Sequence, residues 1–124
     1  MEIYVYSKNY FKESATVRNA ILTAVGMLYE RISSYEAQNI QFGRIFNDPS
    51  VKSDKHGDFY TIKTQKSSMQ LRILYSYIII DGRPVIIIAD FHIKKKNNKE
   101  YIRQFDSANN LDPMFAFSRS KQVA

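Results

Sequence analysis

Hydrophobic and polar residues change their spacing along the chain, and these changes mark the expected elements. Glu2–Tyr6 alternates and is rich in β-forming residues, which predicts a first strand. From about Ser14 to Gln38 apolar residues recur every three or four positions, which predicts an amphipathic helix with Ser14 as its N-cap. Such a stripe packs against a sheet or forms a partner-binding groove, and we expect the first. The stripe consists of Val17, Ile21, Val25, Leu28, Ile32 and Tyr35.

The strongest local signal is a hairpin at Asp81-Gly82. Apolar, β-branched runs flank this dipeptide, and Asp-Gly tolerates the positive φ angles of a tight turn. Ile78–Ile80 and Val85–Ile88 are apolar at consecutive positions, which is typical of strands covered on both faces. We therefore expect the hairpin in the middle of a sheet. Phe59–Gln65 alternates, so it predicts a strand just before the hairpin.

The less regular segments complete the expected fold. Residues 39–57 combine turn-forming sequences with apolar residues that we expect under the sheet. Lys99–Ala108 predicts a short helix, and residues 111–124 form a tail that is either docked or mobile until a partner binds. We expect one α+β domain over residues 1–124, with an N-terminal strand and helices packed on a small, mainly antiparallel twisted sheet. The apolar side of the short helix consists of Tyr101, Ile102 and Phe105.

The register of the hairpin decides which side chains share a face with Arg72. A two-residue turn pairs Arg72 with Phe91, and a four-residue loop pairs it with Ile93. In both cases Arg72 shares its face with Lys95, while His92 lies on the other face. An unpaired arginine is costly to bury, so Arg72 either pairs with a carboxylate from another element or serves a ligand.

Composition limits the range of functions. Eighteen Lys and Arg against twelve Asp and Glu give a net charge of +6, which favours nucleic acid, an acidic protein or a membrane surface as partner. There is no cysteine, the first residues do not read as a signal peptide, and no run reaches the length of a membrane span. We therefore expect a cytoplasmic protein. The histidines lack metal-ligand spacing and the glycines are isolated, so we expect no cofactor.

Basic and aromatic side chains are the candidates for chemistry. Lysine and arginine neutralise phosphates, and aromatic rings stack on unpaired bases, as in single-stranded RNA recognition. A lysine run such as Lys94–Lys96 also serves as a solvated strand end that prevents edge aggregation, and both interpretations stay open. The residues that we assign to RNA binding are Lys63, Lys66, Lys94, Lys96, Lys99 and Arg103.

Three segments follow a shared pattern along the chain. Gly57–Lys63 is a glycine-led strand, Leu71–Tyr75 is a strand with an early arginine, and Ile86–Lys96 is an apolar strand that ends in lysines. In this order they resemble the RelE/ParE superfamily of type II toxins, above all its HigB-like, phage-associated branch. The resemblance implies a β-α-(α)-β-β-β fold with a C-terminal helix or tail. It also implies a metal-free, ribosome-dependent mRNA endonuclease with a cognate antitoxin as partner.

The resemblance also implies roles for single residues. Arg72 is similar to the strand arginine that contacts the mRNA phosphate, Lys95 to a basic residue that stabilises charge during cleavage, and Tyr101 to a tyrosine near the nucleotide. In this mechanism the RNA 2′-hydroxyl attacks its neighbouring phosphate, and arginine and lysine offset the added negative charge. His92 is a candidate for assisting the 2′-hydroxyl, because histidine titrates near neutrality.

Two alternatives remain at this point. One is a toxin of the same fold with another target, such as DNA gyrase. The other is a non-enzymatic module of phage origin that binds nucleic acid or a protein through the same basic face. Growth arrest without RNA cleavage favours the first, and salt-sensitive RNA affinity without cleavage favours the second.

Overall fold

A six-stranded mixed sheet lies between two groups of helices. The computed structural model describes residues 2–37, 55–66, 69–94 and 100–124, so the predicted turns and apolar residues of segment 39–54 lie outside the described residues. The chain is α+β, as the sequence predicts. The strands are β1 (Glu2–Val5), β2 (Lys55–His56), β3 (Phe59–Lys66), β4 (Met69–Ile80), β5 (Arg83–Lys94) and β6 (Lys121–Gln122). The helices are a 3-10 helix (Lys8–Lys12), α1 (Ala15–Ala37), α2 (Glu100–Asp106) and α3 (Pro113–Ser118).

The predicted hairpin forms the centre of the sheet. The strand order is β2-β3-β4-β5-β1-β6, with β3, β4 and β5 in an antiparallel meander and β1 parallel to β5. Ile80 pairs with Arg83 across the two-residue turn, and both turn residues, Asp81 and Gly82, have positive φ. Asp-Gly supplies these angles at low steric cost, so the predicted turn is confirmed. None of the helices in the described segments is both long and apolar enough to cross a membrane.

Both faces of the hairpin are buried, as its consecutive apolar residues predict. The stripe of α1 packs on one face with β1 and with alternate residues of β4 and β5. The Ser14 hydroxyl accepts a hydrogen bond from the Val17 amide at 3.3 Å, which confirms the N-cap. The other face is covered by α2 and α3, which bury Tyr101 and Phe105. Ile102 is 41% exposed, so its predicted place on the buried side is wrong.

The C-terminal tail is docked against the edge of the sheet. The Asp112 carboxylate caps α3 by accepting a hydrogen bond from the Phe115 amide at 2.9 Å. After α3, β6 pairs with β1, and the Val123 amide donates to the Ile3 carbonyl at 2.9 Å. Of the two states expected for residues 111–124, the structure has the docked one.

A β-bulge interrupts the central hairpin. Leu74 pairs with Asp90, but its neighbour Tyr75 pairs with Ile88. Ala89 is therefore the extra residue on β5. In a regular strand, side chains alternate between the two faces of the sheet, and one extra residue shifts this alternation by one position. Every residue of β5 after Ala89 therefore lies on the opposite face from the one that a strand without a bulge predicts.

The bulge brings His92 to the face of Arg72. The two residues are direct partners across the hairpin. The predicted pairing of Arg72 with Phe91, or with Ile93, is therefore wrong, and so is the placement of His92 on the opposite face. These predictions assume a regular strand from the turn to the lysine run. The predicted position of Lys95 beside Arg72 rests on the same assumption, and Lys95 lies outside the described residues.

Candidate functional site

The structure brings three of the four predicted catalytic residues together. Arg72 and His92 lie side by side on the sheet, and Tyr101 covers them from α2. Of the predicted RNA-binding residues, Lys63 on β3 and Arg103 on α2 are exposed. Lys95, Lys96 and Lys99 lie outside the described residues, and for Lys66 and Lys94 only the strand positions are described.

Three basic side chains form one row across the sheet. Lys63 pairs with Arg72, and Arg72 pairs with His92. Residues directly opposite each other on antiparallel strands share a face, so the row lies on the face covered by α2. Lys63 is exposed, whereas Arg72 is only 7% exposed. The row therefore runs from solvent to a buried guanidinium.

The guanidinium of Arg72 is stacked on an aromatic ring and has no ion-pair partner in the described part of the chain. Its Cζ lies 4.7 Å from the centroid of the Tyr101 ring. Its Nη1 is buried and has no hydrogen-bond partner among the described residues, and none of their carboxylates lies within salt-bridge distance. The stack offsets part of the cost of burial, but an unmet buried donor still costs about 1–3 kcal/mol. Such an atom is a candidate for binding an anion.

His92 is held in one orientation by Gln104. The side-chain amide nitrogen of Gln104 donates to Asp90 Oδ2 at 2.9 Å and to the Phe91 carbonyl at 3.0 Å. Its oxygen is therefore the acceptor that lies 3.0 Å from His92 Nδ1, and Nδ1 carries the proton. His92 Nε2 is left as a buried acceptor without a partner among the described residues. A nitrogen in this state can accept a proton from a ligand.

Asp90 anchors the chain of hydrogen bonds that ends at His92. Its Oδ1 accepts the Phe91 amide at 2.8 Å, and its Oδ2 accepts Gln104. Burial raises the pKa of Asp90, and the hydrogen bonds from Gln104 and Phe91 oppose this effect, as does the positive charge of the His92 imidazolium when that ring is protonated. The series Asp90–Gln104–His92 thus fixes which imidazole nitrogen is protonated.

Sequence reasoning missed both supporting residues of this series. Asp90 is an acidic residue within an apolar stretch of β5. A carboxylate is rarely buried without partners, so this position is a signal in the sequence for a polar contact. Gln104 follows Tyr101 by three positions, so a helix places both on one face. Neither signal shows that the two side chains meet, because that contact depends on the bulge at Ala89.

The site combines a cation and a base, and each has a buried nitrogen without a hydrogen-bond partner among the residues that the structure describes. Arg72 Nη1 can bind a phosphate oxygen, and His92 Nε2 can take a proton from a hydroxyl group. Within the described ranges, no three His, Asp or Glu side chains are grouped so that they could hold a metal ion. Comparison of the chain with protein-family models, with curated proteins and with solved structures finds no match.

Proposed function

We propose that the chain is the toxin of a type II toxin–antitoxin pair and cleaves mRNA on the ribosome without a metal ion. The observation that carries this proposal is that Arg72 and His92, direct partners across the hairpin and both beside the Tyr101 ring, each hold a buried nitrogen, Nη1 and Nε2, without a partner among the described residues. Cleavage of RNA by its own 2′-hydroxyl needs a cation for the phosphate and a base for the hydroxyl. Both are present on one face of the sheet.

The proposed reaction is a transphosphorylation. His92 Nε2 takes the proton of the 2′-hydroxyl while the 2′ oxygen forms a bond to the adjacent phosphorus. The bond from phosphorus to the 5′ oxygen breaks, and that oxygen takes a proton from water. The products are a 2′,3′-cyclic phosphate and a 5′-hydroxyl end. Arg72 stabilises the extra negative charge on the phosphate oxygens in the transition state.

The surroundings of the site support an RNA substrate and a protein partner. Lys63 continues the row of basic residues into solvent, and Arg103 is exposed on the helix that covers the site. The net charge of +6 attracts the RNA backbone. The order strand, helix, antiparallel meander and helix is the order that the resemblance to RelE-like toxins implies. In this proposal an acidic or apolar antitoxin segment covers the basic face.

The test is inducible expression combined with primer extension on a reporter mRNA. The native chain is compared with Arg72→Gln and His92→Asn, which remove the cation and the base. Arg83→Gln is the matched control, because Arg83 is exposed on the same hairpin and its pair with Glu2 is a surface ion pair of little energetic weight. Circular dichroism of the purified variants shows whether they are folded.

We expect growth arrest and ribosome-phased cuts for the native chain and for the control. The two site variants should lose about 100-fold or more of the cleavage rate while staying folded. Arrest without cuts would contradict the nuclease and favour another target such as DNA gyrase. An absence of both arrest and cuts, with salt-sensitive RNA affinity, would favour a binding module.

A further inference from the structure

A separate cleft of about 1060 Å³ opens where β1 ends. The 3-10 helix forms one wall, and the segment from the end of α2 through α3 to β6 forms the other. Leu74, Ala89 and Asp90 line it from the sheet. The volume slightly exceeds the usual range for small-molecule sites, so the cleft has room for a nucleotide.

The bulge of β5 shapes the floor of this cleft. β1 runs parallel to β5, and Val5, its last residue, pairs with Ile88. The chain therefore leaves the sheet beside the bulge, and the Tyr6 amide donates to the Ile88 carbonyl at 2.9 Å. Both Ala89 and Asp90 line the cleft, because a bulge presents two consecutive residues on one side.

Positive charge surrounds the cleft. Lys8 and Lys12 come from the 3-10 helix, and Arg119 and Lys121 come from the tail. All four residues are exposed, and Asp90 is the single acid among the described residues that line the cleft. Four cations against one carboxylate favour an anionic ligand.

Two exposed aromatic rings lie on the walls. Phe11 is 43% exposed and Phe115 is 48% exposed, and both line the cleft. The Lys121 ammonium lies 5.5 Å from the centroid of the Phe11 ring, and the Arg119 guanidinium carbon lies 5.4 Å from that of Phe115. Rings with cations beside them offer stacking and phosphate contacts in one place.

We propose that this cleft binds a nucleotide unit. The base stacks on Phe11 or Phe115, the phosphate contacts the rim cations, and the Asp90 carboxylate accepts a hydrogen bond from an exocyclic amino group. Adenine, cytosine and guanine carry such a group and uracil does not. Each Asp90 oxygen already accepts one hydrogen bond and has a further lone pair for the base. The docked tail supplies two of the four cations, so it is part of this site.

The ligand can be a free nucleotide or one nucleotide of a single RNA strand, since both offer the same chemistry. The assignment of the cleft to substrate RNA rests on the proposed nuclease function. The assignment to a free nucleotide is independent of that function. Asp90 connects the two sites, because it lines the cleft and also receives the hydrogen bond of the Gln104 amide that orients His92.

The test measures binding without cleavage. Purified native chain is titrated with AMP, CMP and UMP by calorimetry, and with a fluorescent single-stranded oligodeoxynucleotide by anisotropy, because a strand without 2′-hydroxyls cannot be cut. One double variant carries Phe11→Leu and Phe115→Leu, and another carries Arg119→Gln and Lys121→Gln. All four substitutions are at exposed or half-buried side chains, and Arg83→Gln outside the cleft is the control.

We expect AMP and CMP to bind more tightly than UMP, and each double variant to weaken binding about tenfold or more while the control does not. Asp90→Asn should shift the preference toward UMP, because its amide can donate to a carbonyl of uracil. Binding of mononucleotides identifies a free nucleotide as a ligand, and binding of the oligodeoxynucleotide alone identifies a single nucleic-acid strand. Either result supports the site.

Two results would overturn the nucleotide site. One is a native chain that binds neither the mononucleotides nor the oligodeoxynucleotide, and the other is an affinity that the cleft variants leave unchanged. The proposed nuclease is tested separately, because His92→Asn should abolish cleavage and still bind in the cleft. Cleavage without nucleotide binding in the cleft would refute this inference alone, and binding without cleavage would refute the nuclease alone.

Discussion

The guanidinium carbon of Arg72 lies 4.7 Å from the centroid of the Tyr101 ring, and this stack joins the centre of the sheet to the helix that covers it. Arg72 belongs to β4 and Tyr101 to the first turn of α2. The position of α2 therefore controls both the burial of the cation and the orientation of His92 through Gln104.

Tyr101→Leu removes the ring and keeps an apolar side chain, whereas Tyr101→Phe keeps the ring and removes the hydroxyl. We expect the Leu variant to lose about 1–3 kcal/mol in the free energy of unfolding, because the cation–π contact is lost and the fit is poorer. The RNA cleavage that we propose should fall about tenfold or more in this variant, since Arg72 is no longer held in place. Urea unfolding and primer extension measure the two effects. A Phe variant as inactive as the Leu variant would assign the role to the hydroxyl instead of the ring.

Asp90→Asn should change how stability depends on pH. Burial raises the pKa of Asp90 above its ordinary value of 3.8, so the folded state keeps this proton at pH values where the unfolded state has lost it. The stability that Asp90 contributes is fully present at pH values below its pKa in the unfolded state. It is lost as the pH rises through the pKa that Asp90 has in the folded state. The free energy of unfolding of the variant, minus that of the native chain, should therefore increase as the pH rises from about 4 to about 7. Urea unfolding across this range measures it, and a constant difference would contradict the raised pKa.

Gly57→Ala should destabilise the fold more than Gly82→Ala. Both glycines have positive φ, 61° at Gly57 and 77° at Gly82, so both substitutions carry a backbone cost of about 1–2 kcal/mol. A Cβ at Gly57 would lie 2.6 Å from the carbonyl oxygen of Asn109, whereas a Cβ at Gly82 meets nothing within 4 Å. We expect an extra loss of about 1–3 kcal/mol at Gly57. Thermal or urea unfolding of the two variants measures the contribution of the contact between the β2–β3 turn and the turn that follows α2. Equal losses would show that the Asn109 backbone moves aside.

The elements that the sequence predicts correctly are those that local chemistry decides. The stripe of α1 follows from helical spacing, and the hairpin turn follows from the φ angles that Asp81 and Gly82 tolerate. The central position of the hairpin follows from its consecutive apolar residues, because these must be covered on both faces. Arg72 is noticeable in the sequence because it lies among the apolar residues of Leu71–Tyr75, and the structure buries it in the candidate site.

The pairing of Arg72 with His92, and the cleft beside Asp90, are decided only by the tertiary structure. Nothing in the order Ile88-Ala89-Asp90 marks a bulge, because its position depends on how the neighbouring strands and both helical layers pack against β5. That single residue reverses the faces of β5 beyond it and brings His92 under Tyr101. The sequence by itself determined the elements and the candidate cation, since both depend on neighbours along the chain. The partners of that cation depend on strand register and helix docking, which are properties of the folded molecule.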